Sequence, residues 1–316
     1  MPVLAGLPSP TQIGLSRDIM HSFQNDLLEC YSDAELVCHI DKSPRLTPFS
    51  AISLLSTRYL AKTYVPEALE DSVRAVEVAR QLGVRVPDIK RTIKSNDGAF
   101  CIMECIEGTT LEEAWAKLGW FASIKLAVQL RHAISLLRSV SSSTAGSLAT
   151  GECRSFWLDD RYGVPARSSP DDITSFIKFW ANFISIRQEI KNAPHCLVYS
   201  KVYTPPAART FVFTHHDLAP RNILLDHSGQ LWLIDWDYAG FYPPYFEYAA
   251  MHNFHIPQDW NMFARMRWHL FTWIAAGRTE KQRRLLERIR SKFTRFSVGR
   301  RFHLLANSIP TRKPVS

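Results

Sequence analysis

Apolar positions along the chain follow two rhythms. In the first third, short apolar runs at Ile52–Leu55, Tyr59–Lys62 and Phe100–Glu107 predict strands. Between them, Leu69, Val73 and Val76 recur at helical spacing from Pro66 to Leu82. Pro66 suits the first turn of that helix and Gly83 its C-terminal cap. Beyond Gly108 the helical rhythm dominates. Thr110 and Glu113 have the spacing of a capping box, and Gly119 ends that helix. Leu126, Leu130, Ala133, Leu137 and Val140 give the next helix a buried face. A third carries Ile173, Phe176, Ile177, Trp180, Phe183 and Ile184, and starts at Ser169-Pro170-Asp171-Asp172. That start supplies an N-cap, a proline and two acids on the positive end of the dipole. Residues 16–40 read as helical, Ser141–Thr150 as a loop, and the aromatic residues of 260–273 as core of the last helices.

One stretch combines strand patterning with chemistry. Phe211–Phe213 is apolar, His215–Asn222 is a polar loop, and Ile223–Leu225 and Leu231–Ile234 are apolar runs joined by Asp-His-Ser-Gly-Gln. Gly229 suits a hairpin turn that needs φ > 0. The loop therefore precedes a hairpin, and Asp235 stands where its second strand ends. This brings Asp217, Asn222 and Asp235 together. Mg²⁺ prefers a few hard oxygen ligands completed by phosphate and water. Asn222 supplies a carbonyl oxygen and Asp235 a carboxylate, which leaves Asp217 to orient a hydroxyl and accept its proton.

His215-x-Asp217-x-x-x-x-Asn222 followed by Ile-Asp235-Trp-Asp resembles the paired motifs of the aminoglycoside-phosphotransferase group of kinase-like enzymes. Two further segments are similar to fungal-type members of that group: Met103-Glu-x-Ile-x-Gly-x-Thr-Leu-Glu-Glu-Ala-Trp and Tyr-Pro-Pro-Tyr-Phe-Glu247-Tyr. The resemblance covers residues 45–255. It implies an α+β, two-lobed, protein-kinase-like fold, with a small antiparallel sheet lobe on a larger, mainly helical lobe. It also implies ATP and Mg²⁺ as cofactors and the hydroxyl of a small molecule as acceptor. Adenine would lie against the backbone of Glu104, Cys105 and Ile106, with Met103 behind it. Lys62 would face the phosphates, held by a carboxylate of the following helix: Glu70 first, then Asp71, then Glu77. His215 would brace the catalytic loop, and Glu247 would fix that loop to the lobe. Asp159 and Asp160 lie in a loop and are candidates for the acceptor site.

One departure matters. No glycine occurs between Ser43 and Thr57, where kinases carry a glycine-rich loop over the phosphates. Ser43-Pro44-Arg45 and Ser50 are the replacements at hand. The departure keeps open a catalytically impaired pseudokinase that binds nucleotide or a partner.

Composition narrows the setting. The chain has 316 residues, 46% of them hydrophobic, enough for a sizeable core. The resemblance divides it into an N-terminal extension with a helix (1–40), a small lobe (41–105), a large lobe (106–306) and a disordered tail (307–316). No apolar run reaches the length of a membrane span, and the proline-broken N-terminus is a poor signal peptide. The six cysteines form neither a zinc pattern nor a disulfide framework, so a reducing, cytoplasmic setting is expected; a monomer is the expected state. The net charge of +8 is concentrated late in the chain. There Leu285, Ile289, Lys292, Phe293 and Phe296 recur at helical spacing. An amphipathic helix with a solvated basic face explains the charge better than a nucleic-acid surface.

Overall fold

The computed structural model describes residues 23–48, 50–95, 98–160, 163–183 and 210–295. The first lobe is built on a four-stranded antiparallel sheet of β1 (Ile52–Leu54), β2 (Tyr59–Tyr64), β3 (Ile89–Ser95) and β4 (Gly98–Glu104), in the order β1-β2-β4-β3. Strand alternation gives this sheet two apolar faces. One face carries Ala61, Ile93, Phe100 and Ile102, which pack with Phe23, Leu28, Leu36 and Ile40. Helix α1 (Asp33–Lys42) packs on this face through Leu36 and Ile40; Ser32 and Glu35 close its N-terminus as a capping box. The other face is covered by α2 (Pro66–Gln81), whose Leu69 packs on Ala99 and Cys101.

The chain leaves the sheet through residues 105–107 and enters β5 (Gly108–Thr110). This strand pairs with β8 (Ile223–Asp226), which pairs in turn with β9 (Leu231–Leu233). A Cβ on Gly108 would stand 2.6 Å from the Leu225 carbonyl oxygen, so only glycine allows this approach. The expected capping box at Thr110 is half formed. Thr110 Oγ1 accepts from the Glu113 amide, and the helix runs only one turn as α3 (Leu111–Ala114) before tightening to a 3₁₀ turn.

Long helices build the second lobe: α4 (Trp120–Leu137), α5 (Pro170–Asn182), α6 (Tyr245–Ala250), α7 (Met262–Ala276) and α8 (Glu280–Arg295). A small sheet of β6 (Ser141–Ser142), β7 (Phe211–Thr214) and β10 (Gly240–Tyr242) lies among them. Its core mixes residues of both lobes: Ala75, Val76 and Ala79 of α2 share one cluster with Leu130, Phe213, Trp236 and Trp268. Ser169 caps α5 in a full capping box with Asp172, which settles that acid as structural. In α8, Leu286, Ile289 and Phe293 are buried. Lys292 is half-buried: it donates to the carbonyls of Trp180, Ala181 and Phe183 at 2.9–3.0 Å and so closes the negative end of α5. Phe296 and the tail lie outside the described residues. No described helix is long and apolar enough to cross a membrane.

Candidate active site

The two lobes face each other across a cleft. Its small-lobe wall is Leu46, Ile52, Leu60, Lys62 and Val76, and its floor is Asn222, Leu224, Ile234, Asp235 and Trp236. Met103, Glu104 and Ile106 line the connecting edge. Cys105 does not. Its amide donates to the Arg58 carbonyl (2.8 Å), and its side chain packs towards Leu46, Leu54 and Leu60.

The hairpin over the cleft is held without glycine. Leu46 donates to Ile52 (2.9 Å), Leu54 donates to Pro44 (2.9 Å), and Ser50 donates to Thr47 (2.9 Å). The Ser43 and Ser50 hydroxyls are engaged within the chain, with His39 and Ile52 respectively.

On the floor, His215–Asn222 links β7 to β8. Glu247 of α6 lies beneath this loop, 1% exposed, and accepts the backbone amides of His215 (2.8 Å) and His216 (3.0 Å). Burial pushes its carboxyl up to about 7 against the pull of Arg138 and these amides. The His215 ring is sandwiched in the loop. Nε2 meets the Ile234 carbonyl (3.0 Å) and Nδ1 accepts the Asp217 amide (3.3 Å), so the proton sits on Nε2. Burial depresses its pKa to about 4 and that of His216 to about 3. His216 (φ 66°) and Asp235 (φ 65°) both hold left-handed backbone, uncommon for residues other than glycine. The Asp235 carboxylate lines the cleft, whereas Asp217 is buried, 3% exposed, beside Arg221 and Asn222, which do line it.

Asp217 is fixed on two sides. Asn222 Nδ2 donates to its carbonyl and to Oδ2, both at 2.9 Å. Arg221 reaches both carboxylate oxygens, at 3.1 and 2.9 Å. Because the Asn222 amide nitrogen is committed, its Oδ1 is the atom left to face a cation. Burial raises the Asp217 carboxyl to about 7, although Arg221 and Asn222 oppose the shift. Asn222 and Asp235 are tied through backbone, since Ile234 donates to the Asn222 carbonyl (3.1 Å).

Lys62 enters from above. Its Nζ lies 2.6 Å from Asp235 Oδ1 and 2.7 Å from Asp237 Oδ1. Burial opposes its charge, but the two carboxylates override this and raise its pKa well above the ordinary lysine value. Burial would also raise the Asp235 carboxyl, and Lys62 instead holds it below the ordinary range. The Asp237 carboxyl goes up, through burial and the neighbouring Asp235.

No acid of α2 meets Lys62. Glu70 is exposed and pairs with Lys94 of β3 (3.0 Å), Glu77 pairs with Arg74 (3.3 Å), and both point outward. Asp71 is buried but faces the large lobe, where it accepts the amides of Ala149 (3.0 Å) and Thr150 (2.9 Å) and the Thr150 hydroxyl (2.8 Å). Successive helical residues are turned by ~100°; Val76 is the α2 residue that lines the cleft, and Ser72 meets Asp237. Ser72 Oγ donates to Asp237 Oδ1 (3.1 Å). The expected Glu70–Lys62 pair is thus corrected. Asp160 is also structural: it accepts Trp180 Nε1 (3.0 Å) and the Gly163 amide (2.9 Å). Asp159 stays exposed. Arg221, Asp237, Ser72 and Asp71 went unassigned or misassigned in the sequence. Arg221 and Asp237 lie inside the quoted motifs, where their spacing from Asp217 and Asp235 was the available signal.

The model of the phosphotransferase enzyme family matches residues 51–286, from β1 into α8. The chain belongs to this family. No curated protein sequence matches it. Among solved structures it is similar to aminoglycoside phosphotransferase APH(4)-Ia, at 15% identity over 83% of this chain and 89% of that one, with a TM-score of 0.48. A second is aminoglycoside phosphotransferase APH(3'')-Id from Streptomyces rimosus (18% identity, 75% and 86% covered, TM-score 0.47). A third is choline kinase from Streptococcus pneumoniae (16%, 81% and 82%, TM-score 0.39). The match is to the family and marks no fungal subgroup within it.

Proposed function

We propose that this phosphotransferase moves the terminal phosphoryl group of Mg²⁺-bound ATP to a hydroxyl of a small molecule. The observation that carries this reading is the cluster of Asp217, Asn222 and Asp235: Asn222 and Asp235 line the cleft, Asn222 holds the Asp217 carboxylate, and Asp235 meets Lys62. The donors fit the ion. Among the described residues no group of three or more His, Cys, Asp or Glu could enclose a metal alone. An Asn oxygen and one carboxylate suit a cation that takes its other ligands from phosphates and water. When bound, Mg²⁺ would neutralise charge on the phosphates.

The protein's own residues supply the rest. Lys62 holds phosphate oxygens as a buried point charge. The apolar walls from Leu46, Ile52, Leu60 and Leu224 take a flat base, with Met103, Glu104 and Ile106 along its edge. Asp217 orients the acceptor hydroxyl and takes its proton, and a carboxyl near 7 matches a base working near neutrality. Arg221 and Asn222 keep that carboxylate from turning.

The glycine-free hairpin favours a second reading, a nucleotide-binding module without transfer. The separating experiment is ATP consumption by the purified protein against a panel of hydroxylated metabolites, aminoglycosides included. Acceptor-dependent ADP release supports the enzyme. Mg²⁺·ATP binding with no acceptor-dependent turnover across the panel supports the module.

A further inference from the structure

Lys62 has two carboxylate partners, and one of them has a second duty. If Asp235 turns its carboxylate to a cation, Lys62 loses the 2.6 Å contact. A buried ammonium without a partner is costly. In α2 no acid is placed to take over, since Glu67 is exposed in the first turn, Glu70 is held by Lys94, Glu77 by Arg74 and Asp71 by the Ala149–Thr150 loop. Asp237 remains. Its Oδ1 meets Lys62 at 2.7 Å and the same oxygen accepts Ser72 Oγ at 3.1 Å. Ser72 is buried, 2% exposed, on the face of α2 that meets Asp237.

We infer that Asp237 is the residue that positions Lys62 for nucleotide, and that Ser72 ties α2 to this pair. The link runs helix, Ser72, Asp237, Lys62. It replaces a direct pair between a helix acid and the lysine, and it leaves Asp235 free for the cation. Neighbouring side chains divide the work of α2, because Asp71 fastens the helix to the large-lobe loop while Ser72 fastens it to the lysine's partner. This inference rests on the nucleotide reading of the cleft.

Calorimetry on the full chain tests it with ADP and Mg²⁺ as probes. Two quantities are read: ADP affinity at saturating Mg²⁺, and the Mg²⁺ concentration giving half of the effect. Asp237→Asn should weaken ADP roughly tenfold or more, the scale of one lost charge-assisted contact, and leave the Mg²⁺ midpoint within about twofold. In a Lys62→Met background the same change should add nothing, because its route to nucleotide is gone. Ser72→Ala should lose less, in the same direction and with the same dependence on Lys62. It carries the test if Asp237→Asn fails to fold. A raised Mg²⁺ midpoint with ADP affinity kept would make Asp237 a metal ligand and overturn the inference. Additive losses in the Lys62→Met background would overturn it too. A wild type that binds no ADP removes the nucleotide reading itself and the inference with it, an outcome distinct from either.

Discussion

Lys62 and Asp235 stand 173 positions apart in the chain and 2.6 Å apart in space. One lies on a small-lobe strand and the other follows the large-lobe hairpin, so this ion pair spans the cleft. Asp235→Asn removes the carboxylate assigned to the cation. Asp237 still neutralises Lys62, so the fold should persist. The expected outcome is loss of Mg²⁺-dependent nucleotide binding with an unchanged circular dichroism spectrum. Mg²⁺-dependent binding at wild-type strength in this variant contradicts the assignment.

Lys62→Met keeps the length of the side chain and deletes its charge. Nucleotide affinity should fall by roughly tenfold or more, as one buried charge-assisted contact is lost. Calorimetry with Mg²⁺·ADP reads this directly, and undiminished affinity places the phosphates elsewhere.

The acids of α2 should differ sharply. Glu70 is 63% exposed in its pair with Lys94, so Glu70→Gln should change stability by less than about 0.5 kcal/mol and leave nucleotide affinity alone. Asp71→Ala strands the Ala149 and Thr150 amides, while Arg154 keeps its pairing with Glu152. It should cost at least about 2 kcal/mol. Urea unfolding of both variants measures the contrast, and equal effects argue against the lobe contact at Asp71.

His216 gives a pH signature. Burial holds its pKa near 3 in the fold, and an unfolded histidine titrates near 6.5. The folded value is depressed, so its contribution is present above about 6.5 and lost as pH falls towards 3. The slope from this one group is about 1.4 kcal/mol per pH unit within that window. Asn tolerates the left-handed backbone that His216 adopts. His216→Asn, though less stable at pH 7, should therefore close on wild type as pH drops from 6.5 to 4.5. Parallel stability curves over that range contradict a buried neutral ring.

The loop and hairpin around Asp217 were legible in sequence because each part is local. An apolar run, a polar loop and a hairpin with Gly229 at φ 77° place Asp217, Asn222 and Asp235 with little help from the rest of the chain. The partner of Lys62 was not legible in this way. Glu70, Asp71 and Glu77 share one helix, and which of them faces the cleft depends on how α2 is rotated against both lobes. That rotation is set by burial of Leu69, Ala75, Val76 and Ala79, a stripe that also admits Asp71 and Ser72. Asp71 is accommodated because its partners are backbone amides of a loop, which carry no residue signature. Asp160 was misread for a similar reason: the Trp180 indole that it serves lies 20 residues away on another element.

The central claim is transfer, and Asp217 tests it. Its carboxylate contacts Arg221 and Asn222, and nucleotide binding is assigned to other groups. Asp217→Asn should keep ATP affinity within a few-fold, the scatter of about 1 kcal/mol expected when no direct contact is lost. It should slow phosphoryl transfer by ~10²–10⁴-fold, the usual cost of a lost acid–base group. The measurement is single-turnover transfer to an acceptor from the hydroxyl panel, beside calorimetric ATP affinity of the same protein. Affinity kept and transfer nearly stopped is the predicted result. Transfer at the wild-type rate without the Asp217 carboxylate would contradict the account.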